Sequence, residues 1–231
     1  MSGTRLPMFP LSAVLFPQAT MPLHVFEPRY RQLMHDCLEG DPRFGVVLIE
    51  RGSEVGGGDQ RAALGTRGVI TRAAELPDGR WVLEVRGEAV VVIEEWLPDD
   101  PYPQALVREP EPLPVTVEGA DPGSLPLDDA MQRVRRARAL LSEHGGGPAL
   151  EPGLVLDGGG DAELAAWQLC GVAPVNAYDA QRLLAADGAA ERLALLVELM
   201  DDLELDLRRM LTGEGGDAGE AGEGGEAPEP G

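Results

Sequence analysis

The sequence predicts an α+β protein, with a strand-built first half closing into a barrel or curled sheet and a helical bundle behind it. Three observations carry that expectation. Short apolar and β-branched segments recur up to about residue 109, separated by turn signals rather than by helical periods. Beyond residue 126 the apolar residues return every three or four positions instead. Between the two regimes, 111–126 is rich in proline and has no period. The predicted organisation is a barrel subdomain over 6–110, a linker over 111–126, a helical bundle over 127–211 and a disordered acidic tail over 212–231.

Residues 9–15 and 21–26 are short apolar segments broken by prolines, which suits edge strands because proline cannot donate to a ladder. Residues 44–50 (FGVVLIE) form the β-branched run expected of a strand buried on both faces. Residues 64–73 and 81–86 follow on either side of Pro77-Asp78-Gly79, a turn signal. In the second of these, Trp81, Leu83 and Val85 share one face, with Glu84 and Arg86 on the other. Gly87-Glu88 leads into 89–93, and 104–109 is the last strand candidate. One helix interrupts the strands over 29–38, where Tyr30, Leu33, Met34, Cys37 and Leu38 fall at helical spacing. Pro28 suits its first position, where the missing N–H would have had no partner, and Gly40 is placed to end it.

In the second half, Leu127, Met131, Val134, Ala137 and Leu141 make one stripe, with Asp128 and Asp129 where the helix dipole favours acids. Glycines at 145–147 stop that helix, and a second cluster at 158–160 precedes a helix over 161–169. Asn176 is a natural N-cap for 177–186. The last helix, 189–211, carries Leu193, Leu196, Met200, Leu203, Leu207 and Met210 in an a/d pattern. Leu195, Leu199 and Leu205 lie off that seam, so an intramolecular bundle is expected rather than a dimer seam.

Composition narrows the function. All 19 basic residues are arginine, and 40 acids bring the formal charge to −21. Six of the acids lie in 212–231; without them 34 acids face 19 arginines, leaving about −15 on the remainder. Phosphate attraction needs the opposite sign, so nucleic acid is not an expected partner. Cys37 and Cys170 are isolated and read as buried thiols. The first 25 residues are cut by four prolines, lack an apolar h-region, and no run approaches the ~18 apolar residues of a membrane span. A soluble, cytoplasmic protein is the expectation.

Few residues suggest chemistry. The loop 51–59 (RGSEVGGGD) could offer backbone N–H groups to a phosphate, but Glu54 and Asp59 would repel it. A flexible connection is expected there, or a flap that touches peptide. His35-Asp36-Cys37 has the residue types of a nucleophilic relay, yet neighbours on a helix point about 100° apart, and Cys37 lies on the apolar stripe. The pairs Asp99-Asp100, Asp128-Asp129 and Asp201-Asp202 read as solvated charge, and Arg133, Arg135, Arg136 and Arg138 as partners of the acids. No cofactor and no metal site are expected.

A family resemblance rests on the first thirty residues. Leu6-Pro7-Met8-Phe9-Pro10-Leu11, then Val14-Leu15-Phe16-Pro17, then the run from Met21-Pro22-Leu23-His24-Val25 into Phe26-Glu27-Pro28-Arg29-Tyr30, resembles the start of the substrate-binding amino-terminal domain of Lon proteases. Gly45-Val46-Val47-Leu48, Leu64-Gly65-Thr66 and Arg192-Leu193-Ala194-Leu195-Leu196 are similar to later parts of it. Gln18 departs from the pattern, standing where the family carries glycine. The resemblance implies a PUA-like barrel followed by a helical bundle.

It also implies a non-catalytic module that binds unfolded or degron-bearing polypeptides, serving protein quality control beside a protease or chaperone. Capture is expected in a groove between barrel and bundle, aided by pairing at an exposed strand edge. Residues proposed for the recognition surface are Phe26, Arg29 and Tyr30, with Glu54 and Val55 from the loop. Scaffold roles explain the same residue types: Phe26 as an anchor of barrel to helix, Glu27 at the helix N-terminus. A complete Lon protease also needs a P-loop lysine and a Ser–Lys dyad, and a chain without lysine supplies neither. The alternatives are an RNA-binding module using the PUA-like barrel, and a small hydrolase built on His35 and Cys37.

Overall fold

The computed structural model describes residues 3–51, 60–110, 127–143, 145, 150 and 161–212. The expected linker over 111–126, the glycine clusters at 146–147 and 158–160, and the acidic segment beyond 212 lie outside them. Strands β1 (Thr4–Leu11) and β2 (Thr20–Val25) come first, then helix α1 (Pro28–Glu39). Strands β3 (Arg43–Arg51), β4 (Gln60–Glu75), β5 (Trp81–Leu97) and β6 (Gln104–Arg108) follow. Helices α2 (Leu127–Glu143), α3 (Ala162–Val172), α4 (Ala177–Ala185) and α5 (Gly188–Thr212) complete the described chain.

The sheet runs β2-β5-β4-β3-β1-β6, and β6 pairs again with β5, so five strands close into a ring with β2 attached outside it. Among the described strands only the β1–β3 pair is parallel. Closure depends on the length of β5, whose 17 residues pair first with β2 and later with β6. The α+β class and the barrel-then-helices order therefore hold.

Two strand expectations change. The segments 81–86 and 89–93, which the sequence separates at Gly87-Glu88, are one strand. The chain entering β2 crosses β5 at this point: Gln18 N–H donates to Gly87 O at 2.9 Å and Gly87 N–H donates to Ala19 O at 2.9 Å. A Cβ at position 87 would run into the carbonyl oxygen of Phe16, so glycine is needed for close backbone approach, not for flexibility. The first strand spans Thr4–Leu11 rather than 9–15; its early residues pair with β6 and its later ones with β3. Residues 12–15 are thereby released into a loop.

That loop joins the two halves. Leu15, 2% exposed, enters the barrel core beside Val25, Leu33 and Phe44. Phe16, 5% exposed, enters the core between the helices, with its ring 6.0 Å from that of Trp167. At the same joint Gly171 of α3 meets Ala19, and the Gln181 side-chain amide donates to Leu64 O at 3.2 Å.

The helices start where their caps require. Asp161 accepts from the N–H groups of Glu163 and Leu164 to open α3, and Asn176 accepts from Asp179 N–H at 2.9 Å to open α4. Along α5, Leu193, Leu196 and Met200 are fully enclosed, Leu203 is half-buried and Met210 is exposed, so the seam is spent inside the bundle over its first half. Arg192, 2% exposed, binds the bundle from within. Its guanidinium donates to Leu183 O and Ala186 O at the end of α4, pairs with Glu163 of α3 at 2.6 Å, and lies 3.4 Å from the centre of the Trp167 ring. Among the described residues, no helix is long and apolar enough to cross a membrane.

Candidate functional site

Phe26, Arg29 and Tyr30 converge on one end of the barrel. β2 delivers Phe26 to the mouth of α1, and Pro28 opens that helix so that Arg29 and Tyr30 fall in its first turn. Tyr30 is buried and stacks on Phe9 of β1, with centroids 4.2 Å apart and planes 24° from parallel. The Arg29 guanidinium lies 4.5 Å from the centre of the Tyr30 ring, and its Nε donates to Glu27 at 3.1 Å. Glu27 therefore does not cap α1 with its side chain, as the sequence suggested; its carboxylate holds Arg29 in place.

Phe26, Glu27 and Tyr30, but not Arg29, line a cleft of about 60 Å³ together with residues 9–11 of β1 and 23–25 of β2. The cleft lies in the barrel, between β1, β2 and α1. At the joint of barrel and bundle, where the sequence placed a groove, Phe16 and Trp167 pack in a shared core. Phe26 is not an anchor of barrel to helix: it is 54% exposed at the rim, edge-on to His24 with centroids 6.4 Å apart. A large ring held half in water beside an apolar cleft is suited to an apolar partner. Glu54 and Val55 lie outside the described residues.

Sequence reasoning missed Phe9, Leu11, Leu23 and Val25 as cleft residues. Pro10 and Pro22 were the available signal, because proline marks strand edges. A second, broader depression of about 590 Å³ lies nearby, between Arg31 of α1 and the turn at 75–79.

The other candidates are engaged structurally. Cys37 is buried, its thiol donates to Arg43 O at 3.6 Å, and burial followed by the charges of Asp36 and Asp41 pushes it up to about 12. A thiol held protonated in this way is the reverse of an activated nucleophile. Asp36 turns outward from it, accepting from Tyr102 Oη at 2.6 Å and from the Gln32 amide at 2.7 Å, and these bonds hold its carboxyl below the usual range. His35 meets the edge of Trp81 instead, with centroids 5.5 Å apart. In the arginine-rich helix, Arg133 pairs with Asp129 and Asp201, Arg136 pairs with Glu204, and Arg138 donates to Val172 O. Among the described residues no group of three or more metal-ligating side chains gathers.

Comparison with known proteins gives a consistent picture. Residues 5–202 match a family model described as the ATP-dependent protease La (LON) substrate-binding domain. A Lon protease of Cytophaga hutchinsonii is 26% identical over 88% of this chain and 25% of its own length. A LON peptidase N-terminal domain and RING finger protein of Schizosaccharomyces pombe is 23% identical over 86% of this chain and 45% of its own. The chain thus spans a quarter to less than half the length of these curated relatives. The crystal structure of a Lon N-terminal domain protein from Xanthomonas campestris superposes with a TM-score of 0.59 at 29% identity, covering 84% of this chain and 98% of that one. The N-terminal domain of a Mycobacterium avium complex Lon protease superposes at 0.57 with 16% identity, over 86% and 99% of the two chains, a likeness of fold.

Proposed function

The chain belongs to the LON substrate-binding domain family, and from that premise we propose that it is a non-catalytic module that captures unfolded or degron-bearing polypeptides. The observation that carries the proposal is Phe26, half exposed beside an apolar cleft whose far wall is the Phe9–Tyr30 stack. A partner's apolar side chain seated there would be removed from water against carbon on three sides. The affinity gained is of the order of 1–2 kcal/mol per side chain, which is useful only when several segments of a client are offered. Arg29 pairs with Glu27 and lies against the Tyr30 ring, so its charge is met within the chain.

The module would hand its clients to a protease or chaperone in the cytoplasm, in protein quality control. Two cysteines buried without a disulfide suit a reducing compartment. With the cluster at 133–138 engaged by acids and a carbonyl, and with net negative charge, the arrangement does not favour RNA.

The test uses a reduced, alkylated protein that cannot refold, titrated against the full chain. Saturable binding is expected, indifferent to ATP and without cleavage of the client. Phe26→Ala should weaken it roughly tenfold, as loss of a partly buried ring contact implies, with an unchanged far-ultraviolet spectrum. Failure to bind any unfolded client, or a Phe26→Ala variant that binds as the parent does, would overturn the proposal.

A further inference from the structure

We propose that the free edge of β2 takes up an extended segment of another polypeptide as an added strand, selecting one short aliphatic residue flanked by basic ones. The inference rests on the polypeptide-binding reading and adds to it the conformation and chemistry of the bound segment.

Among the described residues β5 is the only strand partner of β2. Which backbone groups face the open side follows from the ladder. Gly87 N–H donates to Ala19 O at 2.9 Å, and Thr20 stands opposite Arg86. Bonded and non-bonded pairs alternate along an antiparallel ladder, so 21, 23 and 25 turn their amides toward β5, in phase with the Ala19 carbonyl. Thr20, Pro22 and His24 turn theirs away. Pro22 fits this phase, since a residue without an N–H removes no bond to β5 there. The open edge therefore offers N–H and C=O of Thr20 and His24, and C=O of Pro22.

Beside that edge lies the cleft, lined on its far side by residues 9–11 of β1. Its volume of about 60 Å³ leaves room for one short aliphatic side chain. A strand laid on β2 would drop one side chain into it and send its neighbours outward.

The charge on the chain points to the occupant. At −21, the protein attracts basic segments and repels acidic ones over several ångströms. Its own residues 213–231 comprise only Gly, Ala, Glu, Asp and Pro, so they bring neither an aliphatic side chain larger than alanine nor a positive charge. Those residues therefore do not fit, and the occupant we propose is a segment of another polypeptide.

A labelled peptide with one central valine, threonines on both sides and arginine pairs at the ends provides the test, read by fluorescence anisotropy. Backbone N-methylation in one alternating phase should weaken binding roughly tenfold or more, as loss of edge hydrogen bonds implies, while the other phase is tolerated. Equal losses in both phases overturn strand addition, as does a peptide that fails to bind when the unfolded protein still binds. If neither ligand binds, the broader reading fails with it. On the protein side, His24→Pro removes a free-edge donor in the phase that already accommodates Pro22, and should abolish peptide binding in a folded variant. Should that variant not fold, the N-methylated peptides decide alone. Replacing the arginine ends by glutamate should lower affinity, and salt should weaken the arginine peptide; equal affinities would overturn the charge selection.

Discussion

Gln18 holds a φ of +65°, a backbone setting that costs a side-chain-bearing residue about 1–2 kcal/mol. The crossing of β5 imposes it, because the Gln18 amide must reach Gly87 O while Ala19 N–H donates to Phe16 O at 3.1 Å. This accounts for the glycine that the family resemblance places at this position. Gln18→Gly should raise stability by about 0.5–1 kcal/mol, the relief being offset in part by the greater freedom of glycine when unfolded. Denaturant titration of the two proteins is the check, and a destabilised Gln18→Gly chain would mean that the glutamine side chain supplies something the backbone argument omits. Gly87, its partner across the strand, has the opposite requirement: it needs space, not a special φ.

At the scale of elements, the ring is held by ion pairs as well as by its ladder. Glu88 of β5 receives Arg43 of β3 through Nε at 2.8 Å and Nη2 at 3.1 Å, and Arg67 of β4 at 3.3 Å; Arg67 also reaches Glu109 past β6. Arg43 first, then Arg67, keeps the Glu88 carboxyl below its ordinary range near 4.5. A carboxyl depressed by folding stabilises the native state above the unfolded value and loses that contribution as pH falls through the folded one. Glu88→Gln should therefore lower the denaturation midpoint at pH 7, with the gap to the parent closing as the pH drops below about 4.5. A gap that persists unchanged at pH 3 would assign the loss to packing instead.

The helices were the legible elements, since Asn176 and the Leu193–Leu196–Met200 spacing act locally. The strands were less so. Gly87 reads only as a break between two strand segments because its cause, the Phe16 carbonyl, lies 71 positions earlier in the chain. Phe26, Arg29 and Tyr30 were legible as a cluster because they are neighbours in sequence. Their cleft was not, because it exists only once β1 and β2 are set side by side without bonding to each other.

Over the whole molecule, the loop before β2 fastens barrel to bundle. Leu15 and Phe16 are consecutive residues committed to different cores, so neither half can be displaced without pulling a large side chain out of the other's territory. Phe16→Ala should cost about 3–5 kcal/mol in global stability and separate the far-ultraviolet transition from the fluorescence transition of Trp167. Coincident transitions and a loss under about 1 kcal/mol would show that the joint is held elsewhere.

The same fastening determines where the protein can be divided. Scission between residues 110 and 127 would look harmless by composition, yet it would leave the first fragment with a bare phenyl ring projecting into water and the second with an indole missing its lid. Transplanting the strand-built half onto a foreign set of helices would require a matching socket for that ring. Two halves that are successive in sequence are, for engineering, a single part.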